Sequence, residues 1–356
     1  MDICDSILHM DLRFLIIKFK ESPGINKILF GVSGITLIFL LVFVSWWNRE
    51  IVINKTNKDN NTLTNEGPKS SISGISCDNY NRRPVAVMVS SDPETRPLSG
   101  IGEADIVFEM PVTPSGVTRM MAVFQCKNPG EIGSIRSARE DFIPLAARLK
   151  AIYAHWGGER EAMVELNKHI IDNIDAMKYE GIYFYRRLGI KQPHNGFTDL
   201  DMLLKATDDL KYIKENSFSG YLHEDKKQPS NLLNLIDNFL IEYPSPFKVQ
   251  WVYDKNEATY KRFRDGKPEI DKNTDNQAEA SVIVAMKTTS RFSNKDYLTV
   301  DTTGEGEAYI YQNGVKISGR WEKDPSSIDS KLFFYDIDGR EINFVPGKIW
   351  VEIVIE

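Results

Sequence analysis

Cysteine and histidine are scarce in this chain, with 3 of the former and 5 of the latter among 356 residues. Cys4, Cys77 and Cys126 are too few for a disulfide scaffold, and their spacing is not a zinc pattern. His155, His194 and His223 are dispersed along the chain, so no metal site is expected. A Gly-x-Ser-x-Gly elbow, a His-Glu-x-x-His pair, an EF-hand loop and a P-loop are all missing. Nothing therefore marks a nucleophile, and no cofactor is expected. Positive charge is not in excess either. The 44 Lys and Arg against 50 Asp and Glu leave a net charge of −6, which argues against nucleic acid as a partner. No repeat of fixed period is visible.

What the chain does contain is one long apolar run, Ile28 to Trp47, without a charge. In a helix this run rises about 30 Å, the thickness of a bilayer hydrocarbon core. Trp46 and Trp47 mark its end with side chains suited to the membrane–water interface. Arg13, Lys18, Lys20 and Lys27 precede it, so residues 1–27 are read as a cytoplasmic tail and everything after Asn48 as extracytoplasmic. No small-residue cleavage site follows the run, and no cysteine directly follows it to accept a lipid. The expectation is an uncleaved, single-pass membrane anchor over 28–47.

Residues 48–81 are rich in Asn, Thr, Ser, Lys and Gly and lack apolar periodicity, which predicts a flexible extracytoplasmic linker. Cys77 and Cys126 would then lie where disulfides persist. They either bridge, closing a loop of about 50 residues, or remain two thiols; sequence does not choose, because it cannot bring their Cα atoms within bonding range.

From Arg82 onward the apolar patterning predicts packed structure. Strands are expected at Pro84–Ser90, Ala104–Val112, Val117–Cys126 and Ala151–His155, with helices at Ala138–Lys150, Glu159–Lys168, after Thr198, and at Asn231–Glu242. Interleaved strands and helices indicate an α/β (or α+β) domain over 82–243. After Pro244 and Pro246 the period changes to that of strands. Asp265-Gly266, Asn313-Gly314 and Asp338-Gly339 supply hairpin turns. A small antiparallel β domain over 244–356 is expected.

Four places carry candidate chemistry. In Gly133-Ser134-Ile135-Arg136-Ser137-Ala138-Arg139-Glu140, the Ser137 and Glu140 pair has capping-box spacing and predicts a helix N-terminus at Ser137. Arg136 and Arg139 beside that positive end make sense if Ser134, Ser137 and the arginines hold an anion, or else if nearby carboxylates neutralise them. In His155-Trp156-Gly157-Gly158, a histidine ends a strand and two glycines admit close backbone approach. His155 is a candidate proton carrier or a core hydrogen-bond donor. In Pro193-His194-Asn195-Gly196, polar side chains sit on a fixed turn and suit ligand binding, unless Asn195 only satisfies the backbone. Glu109 interrupts an apolar strand and is read as a catalytic acid, or as the cross-strand ion partner of Arg119 if the register allows.

Several of these segments occur together in a known family. Arg83-Pro84-Val85-Ala86-Val87-Met88-Val89, Arg96-Pro97-Leu98-Ser99-Gly100, Glu103-Ala104-Asp105-Ile106-Val107, the run from Ile132 to Arg139, Pro193-His194-Asn195 and the closing Pro346-Gly347-Lys348-Ile349-Trp350-Val351-Glu352 resemble the YerB family. This family comprises bacterial envelope lipoproteins with paired N- and C-terminal domains of unknown function (DUF3048). The resemblance covers nearly all of the chain from Arg82 and implies a surface-exposed, two-domain bacterial protein, but brings no established reaction. The chain departs from the lipoprotein pattern in lacking an acylated cysteine, with the apolar helix standing in for the lipid.

Two functional readings follow. One is an envelope binding protein that takes an anionic ligand, a wall-peptide carboxylate or a phosphate polymer, through Arg119, Ser134, Arg136, Ser137, Arg139, Gly157, Gly158, His194 and Asn195. Trp321, Arg320 or Trp350 of the β domain would touch wall or envelope proteins, unless those tryptophans are core. The other is a cell-wall hydrolase or transferase using Glu109 or His155 as acid or base.

Overall fold

The structure, a computed structural model, describes residues 67–225, 236–293 and 295–356. The expected anchor at 28–47, the cytoplasmic tail and the first part of the linker lie outside the described residues. Among the described residues no helix is long and apolar enough to cross a membrane. The compact unit Gly67–Glu356 holds everything discussed below.

The first half of that unit runs β1 (Val85–Ser90), β2 (Ile106–Pro111), β3 (Thr118–Phe124), β4 (Ile132–Gly133), α1 (Ile143–Arg148) and β5 (Ile152–His155). It continues through α2 (Arg160–Asn167), β6 (Asn173–Asp175), α3 (Ala176–Tyr179), β7 (Tyr185–Arg186), β8 (Gly196–Thr198) and α4 (Leu200–Asp209). The second half is all strand. It comprises β9 (Asn238–Ile241), β10 (Val249–Asp254), β11 (Thr259–Arg264), β12 (Lys267–Pro268), β13 (Glu279–Ala280) and β14 (Val282–Thr288). Then follow β15 (Ser290–Phe292), β16 (Leu298–Val300), β17 (Gly304–Gln312), β18 (Val315–Lys323), β19 (Leu332–Asp336) and β20 (Ile349–Ile355). The fold is thus a mixed α/β first half and a β-rich second half.

Ten strands from both halves form one sheet in the order β19-β18-β17-β14-β20-β2-β3-β1-β5-β6. The second half is therefore not a separate antiparallel sheet, as the strand pattern led us to expect. Its last strand, β20, runs parallel to β14 on one side and to β2 on the other, with Glu109 opposite Glu352. The sequence IWVEIVI reads as such a strand once both neighbours are known: every side chain but the last two is buried. One face of the sheet packs on α1 and α2 through Phe142, Leu145, Ala146, Ala162 and Leu166. The other face carries α4 and an antiparallel sheet of β9–β13, joined through Trp251, Tyr243 and Trp350.

Three further expectations are corrected. Residues 67–81 do not belong to a flexible linker: Ile72 and Ser73 are fully buried, and the Ser70 hydroxyl donates to Gln125 Oε1 at 2.6 Å. The Asn231–Glu242 helix is contradicted at its end, where Asn238–Ile241 pairs with β10 because Phe239 finds a stacking partner in Tyr311. Trp321 and Trp350 are core, not contact surface, with exposures of 1% and 0%. The Asn313-Gly314 turn joins β17 to β18, both residues at positive φ, as the tight hairpin needs.

Candidate functional site

The parallel pair β1–β5 ends on one side in a loop, Ser134–Arg139, laid across both strand ends. Arg136 N–H donates to Met88 O, Trp156 N–H to Arg136 O and Ala138 N–H to Gly157 O. This loop brings Arg136 and Arg139 toward Arg119 of β3, which lies opposite Ser90 at the end of β1. Burial, helped by the like charges of Arg136 and Arg139 and opposed by Asp92, holds the pKa of Arg119 down at about 10.

Asp92, just after β1, is the hub of the group. Its carboxylate lies 3.3 Å from Arg119 Nη1 and 3.5 Å from Arg136 Nη1, and it accepts from the Ser90 hydroxyl at 2.8 Å. These partners hold Asp92 below the usual carboxylate range despite its burial. His194 Nδ1 is 3.1 Å from Arg136 Nη1 and 3.9 Å from Asp92. Burial and the neighbouring Arg136 push the imidazole pKa down. It is neutral at pH 7 and orients the arginine without adding charge. Arg139 sits 3.8 Å from Glu159 and 4.6 Å above the Tyr297 ring. Asp92 and Tyr297 were not anticipated. Ser91-Asp92-Pro93 carries only a turn signal, and Tyr297 comes from the opposite half of the chain.

The helix N-terminus expected at Ser137 is absent. The first turn is a 3-10 turn, Glu140–Phe142, whose N-cap position is Arg139 with no side-chain cap, and α1 begins only at Ile143. The reason is Glu140, whose N–H takes Glu159 Oε1 at 2.7 Å as its partner in place of the Ser137 hydroxyl. Ser137 is half-buried. Ser134 is 1% exposed, and its hydroxyl has no hydrogen-bond partner among the described residues.

His155, Gly157, Gly158 and Asn195 belong to the scaffold. His155 is fully buried, its ring nitrogens facing Gly157 O at 2.8 Å and Asn173 Oδ1 at 3.3 Å, and burial lowers its pKa. Gly157, at φ +60°, donates its N–H to Asp175. A Cβ on Gly158 would strike Met163 and Ala138, so the close approach is to the protein itself. Asn195 accepts from Arg186 Nη1 at 2.9 Å.

Glu109 is elsewhere. It lies opposite Met120, while Arg119 lies opposite Met110, so the one-residue offset puts the two side chains on opposite sheet faces and rules out their pairing. Glu109 is fully buried and binds Arg264 at 2.6 and 2.9 Å, Arg262 at 2.6 Å and the Thr118 hydroxyl at 2.5 Å. The two arginines overcome burial and hold its pKa down at about 2. Glu269 and Glu352 complete this cluster between the large and small sheets. A group so enclosed has no path to a substrate, and the same holds for His155. The acid–base reading loses both of its residues. Among the described residues no group of three or more His, Cys, Asp or Glu side chains is placed to hold a metal.

Asp141, beside the arginines, gives a pH prediction. Its carboxylate accepts from Val300 N–H at 2.9 Å, yet burial, with Glu159 and Glu140 nearby, pushes its pKa up to about 7. The folded state thus holds a proton that the unfolded state has released, and stability drains away as pH rises from about 4 to about 7. Asp141→Asn should raise the urea midpoint relative to the parent at pH 8 and by much less at pH 5. The histidines titrate in the opposite sense but cancel in this comparison. An equal effect at both pH values would refute the assignment.

Fold and site together define a two-part protein whose halves share one mixed sheet and whose charged loop cluster lies at the ends of β1 and β5. The N-terminal domain of the protein of unknown function family DUF3048 matches residues 72–213, and the corresponding C-terminal domain matches residues 240–351. "Putative lipoprotein YerB" of Bacillus subtilis (strain 168) is 30% identical over 278 residues, 77% of this chain and 81% of that protein. The crystal structure of Bacillus subtilis YerB superposes with a TM-score of 0.73 at 27% identity, covering 81% of this chain and 97% of that one. This chain belongs to the DUF3048 family, together with YerB.

Proposed function

We propose that this protein is a membrane-anchored component of the bacterial envelope that binds an anionic ligand at Arg119, Arg136 and Arg139. The anchor at 28–47 would leave residues 1–27 inside and both sequence regions, 82–243 and 244–356, outside. The name of the relative, a lipoprotein, supports a membrane attachment of some kind. One observation carries the ligand reading: three arginines converge on two partly buried acids, Asp92 and Glu159. Arg119 Nε and Arg139 Nε are buried without acceptors among the described residues. Both arginines have an ion partner, in Asp92 and Glu159, but a buried N–H donor left without a hydrogen bond costs about 1–3 kcal/mol, which an arriving anion would recover in part. His194, held by Arg136, and Ser134 border the same loop.

The test is sedimentation of the full-length protein, in detergent, with purified cell wall. Arg136→Ala combined with Arg139→Ala should weaken wall binding by about tenfold or more, as loss of two charge-assisted contacts implies. Walls stripped of phosphodiester polymers separate the two ligand classes: binding that disappears assigns phosphate, and binding that remains assigns peptide carboxylate. Undiminished binding by the double variant would remove the arginine site from consideration.

A further inference from the structure

Away from the arginine cluster, a cavity of about 350 Å³ opens between the strap Arg96-Pro97-Leu98 and the β11–β12 hairpin. Pairing pins the two together: Leu98 bridges Asp271, and Lys272 N–H donates to Leu98 O. Pro97, Leu98, Pro268 and Ile270 give it apolar walls, and Arg96, Arg264, Lys267 and Glu269 supply the charge.

These four charges are not equivalent. Arg264 and Glu269 are nearly fully buried and already belong to the ion cluster with Glu109 and Arg262. Arg96 and Lys267 are different. Arg96 donates Nε and Nη2 to the backbone oxygens of Ser91 and Pro246, and its Nη1 has no hydrogen bond among the described residues. Neither Arg96 nor exposed Lys267 has a carboxylate within ion-pair range among the described residues. The nearest acid on the hairpin turn, Asp265, accepts from the Ser245 hydroxyl. The cavity therefore joins apolar walls to two cations outside ion-pair range of a carboxylate; one of them, Arg96, lies in the field of Glu269 and Glu109 and has a spare guanidinium donor.

We infer that this cavity binds the C-terminal end of a short peptide, with the free carboxylate between Arg96 and Lys267 and the last apolar side chains against Pro97, Leu98, Pro268 and Ile270. A monoanion can accept a charge-assisted hydrogen bond from the Nη1 donor that Arg96 has left after Nε and Nη2 are taken by Ser91 and Pro246. A phosphate dianion suits the cavity less well, because the Glu269 carboxylate lines the same wall. The volume limits the occupant to about two residues, given about 30 Å³ for each displaced water, and excludes a long acyl chain. This site is independent of the arginine cluster and stands or falls without it.

Calorimetric titration of the full-length protein in detergent with acetyl-Ala-Leu-Ala tests it, using the free acid and the C-terminal amide. The acid should bind at least about tenfold more tightly than the amide. Lys267→Glu, an exposed change that leaves thermal stability unaltered, should weaken the acid by about tenfold or more. Arg136→Ala with Arg139→Ala should leave it unchanged. Equal binding of acid and amide, indifference to Lys267→Glu, or loss in the Arg136 and Arg139 variant would each overturn the assignment. So would an absence of binding heat at about 10 mM peptide, since that limits affinity to below any useful carboxylate contact.

Discussion

Glu109→Ala should destabilise the folded unit by about 3–5 kcal/mol, the largest effect of any single substitution proposed for this protein. Glu109 neutralises two arginines, Arg262 and Arg264, whose exposures are 0% and 2%. Truncating it leaves both cations in a space walled by Trp251 and Trp350, each of whose rings already faces the Arg262 guanidinium. Glu269 cannot take over, because it is shared by the same two arginines. Glu352, raised by burial and by Glu109, becomes easier to ionise when Glu109 is removed, and this limits the loss. The pair, as distinct from either member, is worth much less. Glu109→Leu with Arg264→Met should cost well below the sum of the two single changes, since apolar replacement of a buried pair is often close to neutral. Acid should act in the same direction as truncation. A carboxyl held at about 2 contributes stability that is complete above its unfolded value near 4.5 and is lost as pH falls toward 2. Urea titration of the single and double variants measures this directly. A Glu109→Ala cost under about 1 kcal/mol would mean that water or Glu352 already screens the arginines.

The position of that cluster also explains which parts of the structure sequence reveals. Strand locations come from alternation and from turn residues, and both are local. Val85–Ser90, Ile106–Pro111 and Thr118–Phe124 fall within the ranges read from the sequence, and Asn313-Gly314 makes the turn that its residue types require. Partners are not local. Nothing in IWVEIVI says that it inserts between β2 and β14, and so the union of the two halves in a single sheet was invisible. Nor does the sequence around Glu109 reveal Arg262 and Arg264, more than a hundred residues away, as its partners. The arginine loop shows the same limit at short range. Arg136 and Arg139 were legible as a charged group near a turn. The capping box failed because Glu159, from the next helix, took the N–H that Ser137 would have served. Asn238–Ile241 has helical apolar spacing, yet edge pairing with β10 and stacking on Tyr311 outweigh a preference worth only tenths of a kcal/mol per residue.

Replacing Cys77 and Cys126 with serine should cost about 4 kcal/mol in the chain-entropy account, and at least about 2 if the unfolded chain is compact. The two residues form a disulfide, with Cα atoms 5.8 Å apart and 49 residues of separation. What the bridge secures is the hook that precedes β1. Ser70 bonds Gln125, Ser73 donates to Asp105 at 2.9 Å, and Asp105 accepts from the N–H groups of Gln125 and Cys126. Ser73 O takes the Gly347 N–H, and Ser71 O takes that of Tyr221, so the hook also touches both later parts of the chain. Any pull from the proposed N-terminal anchor would enter the fold through this segment. The hook's own hydrogen bonds, all N-terminal to Cys77, would take that load first, and the bridge would pass what remains to the end of β3, well inside the sheet. The double serine variant should therefore lower the urea midpoint and expose the chain to protease cleavage near Cys77 first. A cost under about 1 kcal/mol would show that these hydrogen bonds hold the hook unaided. Thiol counting in protein taken from native membranes adds a check on orientation: one reactive cysteine, Cys4, is expected, because the bridge persists only on the oxidising side. Three reactive cysteines would place the folded unit on the other side of the membrane.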